Sequence, residues 1–446
     1  MNIQELITGS GAPCSCGREH HALLKEAVIK RGAVRETGAV VRRLCGDKQP
    51  HAFVIADPNT VKAAGDAVCA SLRDAGVAYT LYVIGENRPE PEEHTLGSFM
   101  LHYDNDANVI VGIGSGVVND NGKIIAAATH LPYVIVGTAP SMDGYASATS
   151  SMARDGAKVS INSKCPDAVI GDLDILAAAP MRMIQAGVGD MLAKYISICE
   201  WRIGQLVCGE YYCEKVAGLV REALRRCVSQ TQGIVRRDPD AIAAVMDGMC
   251  LSGIAANYAG LTRPVSGMEH YFSHLMDMRF LALGAPCDLH GIQCGVGTVL
   301  TLRAYEAAKK LRPDREKALR YVRAFSYEAW KGELRSLLGA GAETLIQGEA
   351  REHKYDLDRH AARLDRIIGN WDAILRIIDE ELPSADEVRG ILRSVGAPSE
   401  PEEIGMTPEL VRRCFPATKD IRDKYVLTRL LWDIGELDEV TAKVFG

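Results

Sequence analysis

The sequence predicts an α/β domain built on a parallel sheet, followed by a region that is entirely helical. Three observations carry this. Between residues 51 and 140, short apolar runs alternate with stretches of helical periodicity. The apolar runs are continuous rather than alternating, as in strands buried on both faces. Beyond residue 175 strand signals nearly stop and helical periodicity takes over. A boundary is therefore expected at 174, dividing the chain into 1–174 and 175–446.

The elements follow in order. HAFVIADP (51–58) ends in Asp-Pro, as a buried parallel strand would, and NTVKAAGDAVCASLRDAG (59–76) reads as a helix stopping near Gly76. AYTLYVIG (78–85) is a second strand, followed by the acidic loop ENRPEPEE. NVIVGIG (108–114) is a third and runs directly into a helix, SGVVNDNGKIIAAATH, before the fourth, LPYVIVGTAP (131–140). Strand–helix alternation of this kind implies helices on both faces of a parallel sheet. KVSIN (158–162) and DAVIGDL (167–173) look like shorter strands, read as a hairpin appended to the sheet. Residues 184–206, 211–228 and 240–258 are helical in periodicity. Near the end PSADEVRGILRSVG opens with a capping box, Ser384 and Glu387, and stops at Gly396. The charged stretch 351–366 is most simply a solvated helix face.

Bulk properties exclude some classes. Of 446 residues 47% are hydrophobic and 24% charged, ordinary for a globular enzyme. The net charge of −7 argues against a general nucleic-acid binder. No apolar run approaches the roughly 20 residues that cross a bilayer, and MNIQELITGSGAPCSCGREHH lacks the basic start and apolar stretch of a secretory signal. The expected location is the cytoplasm. Thirteen cysteines are scattered without a framework. The one local cluster, CSCGREHH, offers Cys14, Cys16, His20 and His21. Two thiols and two imidazoles suffice for zinc, but the spacing is not that of a finger, and a plain N-terminal loop is the simpler reading.

Three places carry chemical potential. GIGSGVVND (112–120) joins a strand to a helix through close glycines, which is how backbone amides reach a phosphate; a tight turn with no ligand reads the same. GTAPSMDGYAS (137–147) follows a strand, at the sheet edge where α/β folds bind ligands, and offers Thr138, Ser141, Asp143 and Ser147; a turn of small residues is the plain alternative. SGMEHYFSH (266–274) sets His270 and His274 one helical turn apart, with Glu269 ahead of them rather than between them as in a zinc protease. With Asp190 and His290 from other segments, His270 would make an open metal site of one carboxylate and two imidazoles. Asp190 as a helix cap and His290 as a packed histidine remain open.

GSGVVND (114–120), GTAPSMDGYAS (137–147), GVGDMLAKY (187–195), SGMEHYFSH (266–274) and LHGIQCGVG (289–297), in this order, resemble one family. It is the sn-glycerol-1-phosphate dehydrogenase branch of the superfamily of iron-type alcohol dehydrogenases, glycerol dehydrogenases and dehydroquinate synthases. The resemblance spans roughly residues 25 to 330, and the helical tail from about 335 looks like the longer bacterial version.

The resemblance implies a Rossmann-like N-terminal domain, a helical C-terminal domain and an active site in the cleft between them. It implies NAD or NADP as cofactor and one divalent metal per subunit, zinc or nickel with iron also suitable. Gly116, Val117, Val118, Asn119 and Asp120 would hold the cofactor pyrophosphate. Thr138, Ala139, Pro140, Ser141 and Ser147 would line the nicotinamide side, and Asp57 would hold the adenosine ribose. Asp143 would hydrogen-bond the polyol; Asp190, His270 and His290 would bind the metal, Asp190 also facing substrate; His274 would touch substrate and supply a proton. The implied reaction is reversible reduction of dihydroxyacetone phosphate to sn-glycerol 1-phosphate, by a homo-oligomer with a dimer favoured. The rivals are a glycerol dehydrogenase acting on unphosphorylated polyol, a dehydroquinate-synthase-like lyase, and a descendant that only binds nucleotide. A doubly charged substrate calls for Lys or Arg; Lys194 shares a helical face with Asp190, although a surface lysine is the simpler reading.

Overall fold

The computed structural model describes residues 3–85, 89–154 and 157–446. Residues 86–88 of the expected acidic loop lie outside that range. The chain divides into two compact units, Met1–Asp155 with Val159–Met191 and Gly218–Leu261, and Gly156–Lys158 with Leu192–Ala217 and Thr262–Gly446.

The first unit opens with α1 (Ile3–Thr8), β1 (Glu26–Lys30), α2 (Thr37–Cys45) and β2 (His51–Ala56). Then come α3 (Pro58–Thr60), α4 (Asp66–Asp74), β3 (Ala78–Val83), α5 (Glu93–Leu101), β4 (Val109–Gly114), α6 (Gly116–Thr129) and β5 (Tyr133–Gly137). β6 (Thr149–Arg154), β7 (Ala157–Asn162), β8 (Ala168–Asp172), α7 (Leu173–Ala178) and α8 (Met181–Leu192) complete this stretch. Six strands form one sheet in the order β1-β8-β5-β4-β2-β3, and each pairing is parallel. Helices cover it because its central strands are wholly apolar: Val54, Val111, Ile113, Val136 and Ile170 are fully buried in one cluster with Val40 and Val68. Each such side chain contributes about 1.5–3 kcal/mol through burial.

Four expectations are corrected. β8 does not pair with 158–162; it lies inside the main sheet between β1 and β5, and the hairpin partner of β7 is β6. β1 and β6 gave no strand signal, since neither is a continuous buried run. The helix expected over 59–76 is broken: α3 passes through a π-type turn at Val61–Gly65 before α4. A run long and apolar enough to span a bilayer does exist, in α12 (Pro239–Ala259), but it is mostly buried as a core helix.

Beyond Asp172 no strand occurs among the described residues. The chain continues through α9 (Lys194–Cys208), α10 (Glu214–Val228), α11 (Thr231–Arg236) and α12, then α13 (Met268–Ala282) and α14 (His290–Ala308). The capping box forms as expected: Ser384 and Glu387 bond each other's amides, and Gly396 follows at φ 71°. The charged stretch 351–366 is not one helix; it spans the end of one helix and the start of another, and His360 and Leu364 are buried.

Candidate active site

The segments expected to hold a cofactor leave the sheet side by side. Ala56 pairs with Ile113 and Gly114 with Gly137, so β2, β4 and β5 end together. From β2 the chain moves to one side to make β3, then crosses to the other for β4. Such a reversal opens a crevice at the carboxyl edge, where α/β sheets bind ligands. Asp57, the turn before Gly116, and Thr138 all lie there.

The local geometry separates roles within these segments. α6 starts at Gly116, and its first helical bond runs from the Asn119 amide to Ser115 O, 2.9 Å. The amides of Gly116, Val117 and Val118 therefore have no acceptor within the helix. Asn119 and Asp120 turn inward instead. Asn119 Nδ2 donates to Gly144 O at 3.1 Å, while Asp120 accepts from Lys123 Nζ at 2.8 Å and from the Ser151 amide at 3.2 Å. Lys123, wholly buried, also donates to Gly144 O and to Ser147 Oγ. Thus the 137–147 loop is tied from beneath by a lysine that sequence reasoning missed. Ser147 itself donates within the loop, and its oxygen accepts from Lys123. Asp57 caps α3: its Oδ1 accepts the amides of Asn59 and Thr60 at 2.7 and 3.0 Å, and its other oxygen takes no part in the cap.

The same loop is fixed from above. The Thr138 amide donates to Gly114 O, the Ser141 amide to Ala139 O, and Tyr145 Oη to Ala139 O at 2.7 Å. The carbonyl of Pro140 presses on α8, where a Cβ at Gly187 would stand 1.9 Å from that oxygen. Only glycine permits this approach. Asp190, fully buried on α8, accepts the Asp143 amide on Oδ2 at 2.9 Å.

In the second unit, α13 and α14 bring His270, His274, His290 and Cys294 together. The rings of His270 and His290 are 5.1 Å apart, and the donor atoms of His270, His290 and Cys294 lie within 4.8 Å of one another. Hydrogen bonds fix which nitrogen faces outward. His270 Nδ1 lies 2.7 Å from Glu269 Oε1, which also accepts the Gly267 amide. A carboxylate only accepts, so Nδ1 carries a proton and Nε2 is the nitrogen turned away from Glu269. For His290 the reasoning is longer. Gln293 Nε2 donates to Asp277 Oδ1 at 3.0 Å and to Asp288 O at 2.8 Å, which orients the amide. Gln293 Oε1 then accepts the Ser273 hydroxyl proton at 2.7 Å. With that proton spent, Ser273 Oγ accepts from His290 Nδ1 at 2.8 Å, and His290 Nε2 lies 3.5 Å from Cys294 Sγ. Two imidazoles, each with Nδ1–H bound to an oxygen, form a donor set that fits a divalent cation.

His274 is different. Its Nε2 lies 3.3 Å from Arg422 Nη2, and a guanidinium only donates, so the His274 proton is on Nδ1, which is buried with no hydrogen-bond partner. Burial first, then Arg422, holds its pKa well below the usual histidine range. Lys194 is no surface lysine: it is fully buried and donates to Val265 O at 2.9 Å. Ser273, Gln293 and Arg422 were missed by sequence reasoning. The only available signal was Gln293 at His290+3 on the same helical face.

Comparison with known proteins agrees with this architecture. The model of the iron-containing alcohol dehydrogenase family matches residues 28–180. A glycerol-1-phosphate dehydrogenase [NAD(P)+] of Bacillus licheniformis is 28% identical over 434 residues, covering 96% of this chain and 94% of that one. Its namesake from Methanothrix thermoacetophila is 35% identical over 282 residues, covering 63% of this chain and 77% of that protein. The crystal structure of a probable glycerol dehydrogenase from Sinorhizobium meliloti superposes with a TM-score of 0.62 at 15% identity, covering 94% of this chain and 97% of that one, a likeness of fold. With this identity and coverage, and with the sheet edge and paired imidazoles described above, the chain belongs to the glycerol-1-phosphate dehydrogenase family of iron-containing alcohol dehydrogenases.

Proposed function

We propose that this chain catalyses the reversible, metal-dependent, NAD(P)H-linked reduction of dihydroxyacetone phosphate to sn-glycerol 1-phosphate. The carrying observation is the pair of imidazoles whose Nδ1 protons are committed to Glu269 and Ser273, with the donor atoms of His270, His290 and Cys294 within 4.8 Å of one another. Asp190, His270 and His290 would hold it. A zinc, nickel or iron(II) ion so held would keep about one net positive charge and would polarise the substrate carbonyl for hydride from the reduced nicotinamide.

The remaining roles belong to the chain itself. The amides of Gly116, Val117 and Val118 border the cofactor pyrophosphate, with Asn119 and Asp120 bracing the turn from behind. Asp57 receives the adenosine ribose on the oxygen its cap does not use. Thr138, Ala139, Pro140, Ser141 and Ser147 shape the nicotinamide side, and Asp143 hydrogen-bonds the polyol. His274 contacts a substrate oxygen through Nδ1–H, and it, or a water chain it ends, delivers the proton that completes the alcohol. Cofactor residues and the polyol-binding Asp143 thus fall in 1–174, and the metal-binding residues and His274 in 175–446.

Arg422 supports a phosphorylated substrate over glycerol, since a guanidinium 3.3 Å from His274 suits a phosphate dianion. The names of the relatives from Bacillus and Methanothrix support the same choice. The test is NAD(P)H oxidation by dihydroxyacetone phosphate before and after chelation, with product stereochemistry determined. His270→Ala should lose bound metal and rate together. Full activity in that variant, or turnover of glycerol alone, would overturn the reading.

A further inference from the structure

The cluster at CSCGREHH has no part in the proposed reaction, yet the structure gives it a defined form. Residues 13–19 make a tight reversal: Pro13 bridges Glu19, the Cys14 amide donates to Arg18 O at 3.1 Å, and the Gly17 amide donates to Cys14 O at 2.9 Å. Gly17 sits at φ 82°, a conformation that glycine adopts without strain. The reversal turns Cys14 and Cys16 toward His20, so the donor atoms of these three residues lie within 4.8 Å of one another.

His20 and His21 part company here. His21 is exposed and faces Glu19, whereas His20 is 2% exposed and stacks on the Tyr258 ring, with centroids 5.4 Å apart. His20 Nδ1 lies 2.8 Å from Tyr258 O. A carbonyl only accepts, so the imidazole proton is on Nδ1 and Nε2 presents a lone pair. That lone pair lies 3.4 Å from Cys16 Sγ. Tetrahedral zinc with ordinary Zn–S and Zn–N bonds spaces sulfur and nitrogen about 3.5 Å apart. The anchor is itself fixed, because Tyr258 Oη donates to Leu6 O at 2.6 Å. A backbone carbonyl orienting the ring from behind is the usual setting of a metal-bound histidine.

We propose that Cys14, Cys16 and His20 form a second, structural metal site for a zinc-class cation, separate from the catalytic residues, and supply three of the donors that a tetrahedral ion takes. Binding displaces the thiol protons, and the metal bound through two thiolates and one imidazole involves no redox step. Its work is to pin residues 3–20 to the Tyr258 end of α12.

Cobalt(II) in place of zinc tests this on the full-length protein. The wild type should show intense thiolate-to-cobalt absorption in the near ultraviolet and tetrahedral bands in the visible. Both should persist in His270→Ala and Cys294→Ala, which disturb only the catalytic region. Cys14→Ser/Cys16→Ser should lose those bands and a full metal equivalent while keeping the metal removed by His270→Ala. A wild type without the thiolate band, a disulfide between Cys14 and Cys16 in place of metal, or unchanged metal content in the double variant would overturn the site. Because the wild-type spectrum is decisive on its own, a double variant that fails to fold leaves the proposal falsifiable.

Discussion

Ser273 decides which nitrogen of His290 faces outward. Its hydroxyl proton goes to Gln293, so it can only accept from His290 Nδ1. Replacing Ser273 by Ala removes that constraint without touching a ligand. Metal affinity should fall about 10–100-fold, as for other partners behind metal-bound histidines, and chelator competition would measure it; an unchanged affinity would dismiss the relay. Arg422→Ala should raise KM for dihydroxyacetone phosphate about tenfold, with a smaller change in kcat, through loss of a charge-assisted contact. Steady-state kinetics with the phosphorylated substrate and glycerol side by side would check it. Gly187→Ala must drive the Pro140 carbonyl off α8 and should cost about 1–3 kcal/mol in urea unfolding. At this scale the sequence was legible wherever a residue type announces its chemistry. His270, His290 and Asp190 were named because imidazole and carboxylate are the natural cation donors. Lys123, Ser273 and Arg422 were not, because the groups they orient, the Gly144 carbonyl, His290 and His274, are 21, 17 and 148 residues away.

Elements show the same division between local and distant information. β2, β4 and β5 were readable as unbroken apolar runs, and their parallel order places Asp57, Gly116 and Thr138 on one edge. β8 was readable as a strand, but its place between β1 and β5 was not, since pairing depends on chain well outside the strand. β1 escaped notice because an edge strand is only partly covered and needs no apolar run. Asp57 belongs to this scale, since it both terminates β2 and caps α3. Asp57→Asn keeps an oxygen that can accept the two amides, so stability should change little while KM for NADH rises and discrimination against NADPH relaxes. Asp57→Ala should produce the same cofactor effect and cost about 1 kcal/mol more in stability through the lost cap. Equal stability of the two variants would mean that the cap contributes nothing.

For the molecule as a whole, a buried carboxyl makes stability depend on pH. Glu200, on α9 in the second unit, is enclosed by hydrogen bonds from the Met268 and Leu427 amides, and burial followed by repulsion from Glu269 pushes its pKa up to about 8. Its folded value exceeds its unfolded one, so between about pH 4.5 and 8 the native state holds the proton that the unfolded chain has released. Stability from this group is complete below that window and lost as pH rises through it. Urea unfolding near pH 5 and near pH 9 should show the decline, and Glu200→Gln should flatten it; the same slope in both proteins would assign it to other groups.

The placement of α12 reaches into biosynthesis. It lies late in the chain, yet it belongs to the unit that contains the sheet: Asn257 Nδ2 donates to Ala146 O at 2.9 Å, and Tyr258 reaches back to Leu6. A nascent polypeptide must therefore extrude some 260 residues before its opening strands acquire their last covering helix. Until then an apolar flank of the sheet stays bare on the ribosome, so this half should lean on chaperones during translation, and ribosome-bound intermediates arrested before residue 239 should be cut by protease where longer ones resist.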